Sequence, residues 1–177
     1  MVMMRRRLPA ATQGPKLTGL KDLTRLVQRA EGFHPLVAAL KNGHGATVDG
    51  AWGSSASLAA AALGLHAPQT LLIVVAHPRD VDSWADDIET FTGERSIVFP
   101  AWEALPGTLQ SRNSDSLETG QVDEIAGQRL RVLKSLAGSD PPRFLLSTMQ
   151  ALLQPVPDRE QLAARRRILR QGTRVGL

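Results

Sequence analysis

Apolar residues along this chain change period repeatedly, and each change marks an element. Leu20, Leu23, Val27 and Ala30 recur at i, i+3, i+7 and i+10, one stripe of an amphipathic helix that Gly32 ends. Pro35 suits the first turn of a second helix, with Leu36, Val37 and Leu40 facing in and Asn42-Gly43 closing it. Ala46 to Asp49 reads as a short strand, followed by a glycine-bearing turn and an alanine-rich helix to Leu63. The unbroken run Leu71-Leu72-Ile73-Val74-Val75-Ala76 predicts a strand buried on both faces, as in a parallel sheet covered by helices. His77-Pro78 closes that strand. Val81, Trp84, Ala85, Ile88 and Phe91 then give the clearest helical stripe in the chain, stopped by Gly93.

Ser96 to Phe99 predicts the next strand, and Pro100 to Gly107 a rigid loop that Trp102 packs down. A long helix is expected from Ser116 to Ala137, with Val122, Ile125, Ala126, Leu133 and Leu136 inward. Phe144 to Ser147 is another buried strand, Pro155 and Pro157 break the chain, and Asp158 can cap a last helix carrying Leu162, Ala163, Ile168 and Leu169. Strand and helix alternate, so the fold class is α/β, with a parallel sheet joined by right-handed crossovers. The expected organisation is an irregular tail over 1–18, an α/β domain over 19–157, and a linker helix over 158–177 that opens a further domain.

Composition narrows the function classes. Of the 177 residues, 42% are hydrophobic, enough for a core, and only 4% are aromatic, which leaves alanine and leucine to carry it. There is no cysteine, which excludes a disulfide framework and a thiolate metal site and suits a reducing cytoplasm. His34, His44, His66 and His77 stand singly, without metal-ligand spacing. No apolar run reaches the roughly 20 residues that cross a bilayer, and no apolar stretch follows Arg5-Arg6-Arg7 to make a signal peptide. No membrane association is expected, and the expected location is the cytoplasm. The net charge of +4 is uneven. Arg159, Arg165, Arg166, Arg167, Arg170 and Arg174 gather near the end, where Arg165, Arg166, Arg167 and Arg170 are candidate nucleic-acid contacts. The alternative is a solvated helix face.

The stretch between Val48 and Leu58 carries the chemistry. Its strand–turn–helix layout is that of a phosphate-binding loop. Set on the short helicase pattern G-x-x-G-x-G-K-[ST], Gly50 and Gly53 take glycine positions, Ser54 lies between, Ser55 replaces the third glycine, Ala56 replaces the lysine, and Ser57 takes the Mg²⁺-binding hydroxyl. The lysine is the decisive loss. At an effective dielectric of about 20, a cation about 4 Å from a phosphate is worth roughly 4 kcal/mol, and a methyl group offers nothing in exchange. The free N–H groups of a helix N-terminus still allow weak anion binding. Asp80, Asp82, Asp86, Asp87 and Glu89 form the solvated face of their helix, and Asp123-Glu124 lies in helical context rather than after the strand an Mg²⁺-holding acidic pair needs. The loop is therefore read as a degenerate phosphate loop, with no catalytic residue, no metal site and no cofactor expected of this segment.

Taken together, Val48 to Leu58, Leu71 to Val75 with Trp84 to Ile88, Phe99-Pro100-Ala101-Trp102-Glu103-Ala104-Leu105-Pro106, and Gln128-Arg129-Leu130 running into Leu146 to Gln154 resemble the N-terminal region of the bacterial transcription-repair coupling factor family (Mfd). The resemblance spans roughly residues 20–177. It implies a three-layer RecA-like sheet, similar to the damage-recognition helicase UvrB, that has lost nucleotide binding. It further implies a non-catalytic scaffold module for transcription-coupled nucleotide-excision repair in bacteria, in a protein that responds to DNA damage. In that family UvrA is recruited mostly through the following domain. RNA polymerase, DNA and the ATP- and Mg-dependent translocase belong to later domains. The competing readings are a P-loop ATPase or other nucleotide-binding enzyme with an unorthodox loop, and a basic DNA-binding domain.

Overall fold

The computed structural model describes residues 17–102 and 116–158, with 160 and 164 beyond them; of 116–123 it gives the helical backbone alone. Helices α1 (Asp22–Arg29), α2 (Phe33–Lys41) and α3 (Ser54–Gly64) precede strand β1 (Leu71–Val75). Helix α4 (Val81–Thr92), β2 (Ile97–Phe99), α5 (Ser116–Leu136), β3 (Phe144–Thr148) and α6 (Met149–Leu153) follow. The three strands form one parallel sheet in the order β1-β3-β2. The α/β class and the parallel sheet expected from the alternation are both present. Among the described residues, no helix is long and apolar enough to cross a membrane.

Strand alternation distributes the apolar residues between two layers. Ile73, Val75, Phe144 and Leu146 face one way and pack with Ala61 of α3 and Val81, Ile88 and Phe91 of α4. Leu145 and Phe99 face the other way and meet Val132 of α5 and Ala151 of α6. The central strand β3 is therefore buried at all five positions. The carbonyl of Gly64, at the end of α3, accepts a 3.2 Å hydrogen bond from Arg143, which immediately precedes β3. Helix α3 thus runs against the strands, and the turn at its start lies toward their carboxyl ends. Gly64 has a packing role as well. A Cβ there would strike the ring of Phe144, which is fully buried.

Several expectations change at this level. The strand expected at Ala46 to Asp49 does not form: these residues are exposed, without strand pairing. Val48 is the one large apolar side chain among them, too little to bury a strand, and Asp49 instead accepts the Gly50 N–H at 2.8 Å. β1 is not covered on both faces, because it is an edge strand and α5 lies over β2 and β3; Leu72 and Val74 are 44% and 41% exposed. In α2 the inward residue is Phe33 rather than Leu40, which is exposed. Thr18 is engaged with the fold, since its N–H and its hydroxyl donate to Asp22 at 2.8 and 2.7 Å.

In α1 the expected stripe is cut short: Leu20 and Ala30 are exposed, Leu23 and Val27 half-buried, and the buried residue is Thr24. Gly32, Gly43 and Gly93 have positive φ at the helix boundaries where chain breaks are expected. Val81, Ile88 and Phe91 are buried along α4, with Trp84 and Ala85 beside them. The expectations for the tail over 1–16, the loop after Trp102, the inward Val122 and the last helix with Leu162, Ala163, Ile168 and Leu169 fall outside the residues whose side chains are described.

Candidate functional site

The turn before α3 keeps the glycines of the expected loop and spends its polar groups internally. Gly50 and Gly53 have φ of 74° and 52°, a region open to glycine at little cost. The Ser55 hydroxyl accepts the Trp52 N–H at 2.7 Å and lies 2.7 Å from the Trp52 carbonyl, to which it donates. The amides of Ser55 and Ala56 bond the carbonyls of Trp52 and Gly53 at 3.1 and 2.9 Å. Two of the helix N-terminal N–H groups that would cradle an anion are therefore already used. Ser54 opens the helix on the exposed side, and Trp52 projects beside it, 82% exposed.

Ser57 decides what this turn can do. It is fully buried, and its hydroxyl donates to Asp87 of α4 at 2.5 Å, with the Ser54 carbonyl at 3.0 Å as a second acceptor. The group that a phosphate loop would turn toward Mg²⁺ points instead into the seam between α3 and α4. Asp87, read from sequence as part of a solvated acidic face, is half-buried and tied to Ser57; Asp82, Asp86 and Glu89 are the exposed members. Ala56 is half-buried and carries no charge. Among the described residues, no group of three histidine, aspartate or glutamate side chains is placed to hold a metal ion. Arg165, Arg166, Arg167 and Arg170 lie outside the described residues.

A second polar centre sits on the opposite face of the sheet. Arg129 of α5 is 2% exposed, with its guanidinium 4.1 Å over the Phe99 ring and 4.4 Å from that of Trp102. It donates to the Pro100 carbonyl at 2.6 Å and to the Ala151 and Pro155 carbonyls at 3.4 Å, and Gln154 Oε1 lies at 3.4 Å. Gln154 in turn accepts the Trp102 N–H at 2.7 Å and donates to the Trp102 carbonyl at 2.8 Å. Burial pulls the Arg129 pKa below the ordinary arginine value, yet a guanidinium stays charged in proteins. Backbone carbonyl oxygens and two aromatic faces solvate the cation in place of water. Trp102 itself packs against this cation, while the rest of its loop lies outside the described residues.

Set beside protein-family models, curated proteins and solved structures, the chain matches none of them.

Two of the stretches quoted for the family resemblance meet at Arg129: Phe99, Pro100 and Trp102 come from one, and Arg129, Ala151 and Gln154 from the two ends of the other. Their shared task here is packing rather than chemistry. Sequence reasoning missed both Arg129 and Asp87 as buried polar residues. The signal for Arg129 was present, because 129 falls four residues after Ile125 and three before Val132 on the inward stripe of α5. A charge in an apolar stripe should be read as a buried anchor. Asp87 gave no such signal, since four other acidic residues surround it in sequence.

Proposed function

We propose that this chain is a non-catalytic scaffold module, a RecA-like domain with a degenerate phosphate loop related to the UvrB-like amino-terminal region of transcription-repair coupling factors. Its task in this reading is to present a docking platform in nucleotide-excision repair, with recruitment of UvrA and contact with RNA polymerase and DNA carried by other domains of such a protein. The observation that carries the reading is the commitment of Ser57 to Asp87 beside an uncharged Ala56. A phosphate loop needs a cation and a free hydroxyl at these two positions, and this turn offers neither. The small parallel sheet flanked by helices is compatible with the proposed layout.

The test is calorimetric titration with millimolar ATP and Mg²⁺, run with a phosphate-release assay. The expected result is neither saturable binding nor turnover. Saturable binding with turnover would overturn the scaffold reading, and loss of that turnover in Ala56→Glu would place it at this loop. The paired change Ser55→Gly with Ala56→Lys is expected to restore weak binding at most, because Ser57 remains bonded to Asp87 and the Ser55 hydroxyl that organises the turn is lost.

A further inference from the structure

We propose that Asn42 is a self-modification site, where the folded chain converts the side-chain amide to isoaspartate and aspartate through opening of the last turn of α2. Asn42 is the one asparagine in the sequence that a glycine follows. Having no Cβ, Gly43 does not shield its own backbone nitrogen, which can attack the side-chain carbonyl carbon of Asn42. The N–Cγ bond forms, the Cγ–Nδ2 bond breaks, and Nδ2 leaves as ammonia with the amide proton of Gly43. Water then opens the five-membered imide. Attack at Cγ gives aspartate, whereas attack at the main-chain carbonyl gives isoaspartate, with the chain rerouted through Cγ. Water enters, ammonia leaves, and nothing is oxidised or reduced.

The closed fold holds this reaction in check. Helix α2 ends in a left-handed glycine cap, in which the Gly43 N–H bonds the Leu40 carbonyl at 3.0 Å and the His44 N–H the Ala39 carbonyl at 2.9 Å. Gly43 supplies the left-handed residue, with φ of 75°. The attacking nitrogen is therefore engaged, and it also faces the wrong way. Ring closure needs the Asn42 Cβ eclipsed with the Gly43 nitrogen about the Cα–C bond. At the observed ψ of 6° the backbone nitrogen of Asn42 takes that eclipsed place. While the cap is closed, the two atoms cannot join.

The cap rests on backbone bonds with little packing beneath them. Phe33, at the opposite end of α2, is its buried residue. Every residue from Leu40 to Gly50 is exposed, so opening the last turn uncovers little apolar surface. Segments held this way open locally at small cost, without unfolding of the rest. Opening frees the Gly43 nitrogen and the Asn42 backbone together, since one motif fixes both. The products do not rebuild the cap. Aspartate sets a negative charge at the carboxyl end of the helix, where the dipole opposes it. Isoaspartate adds a methylene to the main chain and displaces the Gly43 and His44 N–H groups from their carbonyls.

Peptide mapping by liquid chromatography and mass spectrometry, on the full chain held in mildly alkaline buffer, tests the proposal. The readout is the mass gained when the amide becomes an acid at position 42, with the two products separated against synthetic standards. Conversion is expected, and more slowly than in a free peptide of residues 36–48, which has no cap. Leu40→Gly, at an exposed site, weakens the last turn. It should speed conversion in the full chain about fivefold, the rate equivalent of the helix cost of glycine, and leave the peptide nearly unchanged. Urea below the unfolding transition should alter the rate only slightly, because opening this turn exposes little surface. Asn42 left intact when the peptide has converted overturns the proposal, as does conversion at the peptide's own rate. A Leu40→Gly chain that reacts no faster overturns it too, and so does a rate that climbs with urea as steeply as global unfolding.

Discussion

Arg129 is a buried cation whose partners, among the described residues, are carbonyl oxygens, one side-chain amide and two rings rather than a carboxylate. Removing it strands those acceptors without water, so Arg129→Ala is expected to lower the unfolding free energy by roughly 2–4 kcal/mol in a urea titration. Arg129→Lys should recover less than half of that, because an ammonium cannot stack between two rings while reaching separated carbonyls. Asp22 shows the opposite kind of charge, a carboxylate at the start of α1. The Thr18 hydroxyl and the Thr18 N–H, helped by Gly19 and Arg25, hold its pKa below the ordinary aspartate value against a small opposing effect of burial. A lowered carboxylate pKa stabilises the fold fully above the unfolded value, and the contribution is lost as pH falls through the folded one. The thermal midpoint should therefore fall more steeply below about pH 4 in the native chain than in Asp22→Asn. Parallel thermal melts across that range check it.

Among the elements, α3 depends on what is absent from its surface. Gly64 lets the end of the helix lie against the Phe144 ring, and Phe144 is fully buried. Gly64→Ala is expected to destabilise by about 1–3 kcal/mol. Combining it with Phe144→Leu should cost less than the two single changes added together, a coupling that denaturant melts of the three variants will measure. The start of the same helix shows how far sequence can be read. Its boundaries, the positive-φ glycines and the uncharged position 56 were legible, since each follows from local chain chemistry. The destination of Ser57 was not. Nothing in an alanine-rich helix announces that one hydroxyl will meet a carboxylate thirty positions later, on a helix reached through a strand and a turn.

For the molecule as a whole, period and punctuation were sufficient to reveal the α/β class, the three strands that form, and the helices between them. Strand order was not legible. The run of β1 is the more apolar in sequence, since β3 ends in Ser147 and Thr148, yet β3 lies in the centre and β1 at an edge, and burial follows position in the sheet rather than hydropathy. The same blindness to order made Ala46 to Asp49 look like a strand, because a turn and a helix after it imitate the start of a β–loop–α unit. The stretches behind the resemblance were identified from residue types alone, whereas their convergence on Arg129 needed three dimensions. Gln154 belongs to that convergence, and its two bonds to Trp102 restrict what can stand at its position. One planar group there acts as the neighbouring strand would, receiving from the nitrogen and giving to the oxygen of a single residue. Asparagine carries the same group one methylene short, and glutamate presents two acceptors where one donor is required. Position 154 is thus closed to both of its nearest chemical relatives.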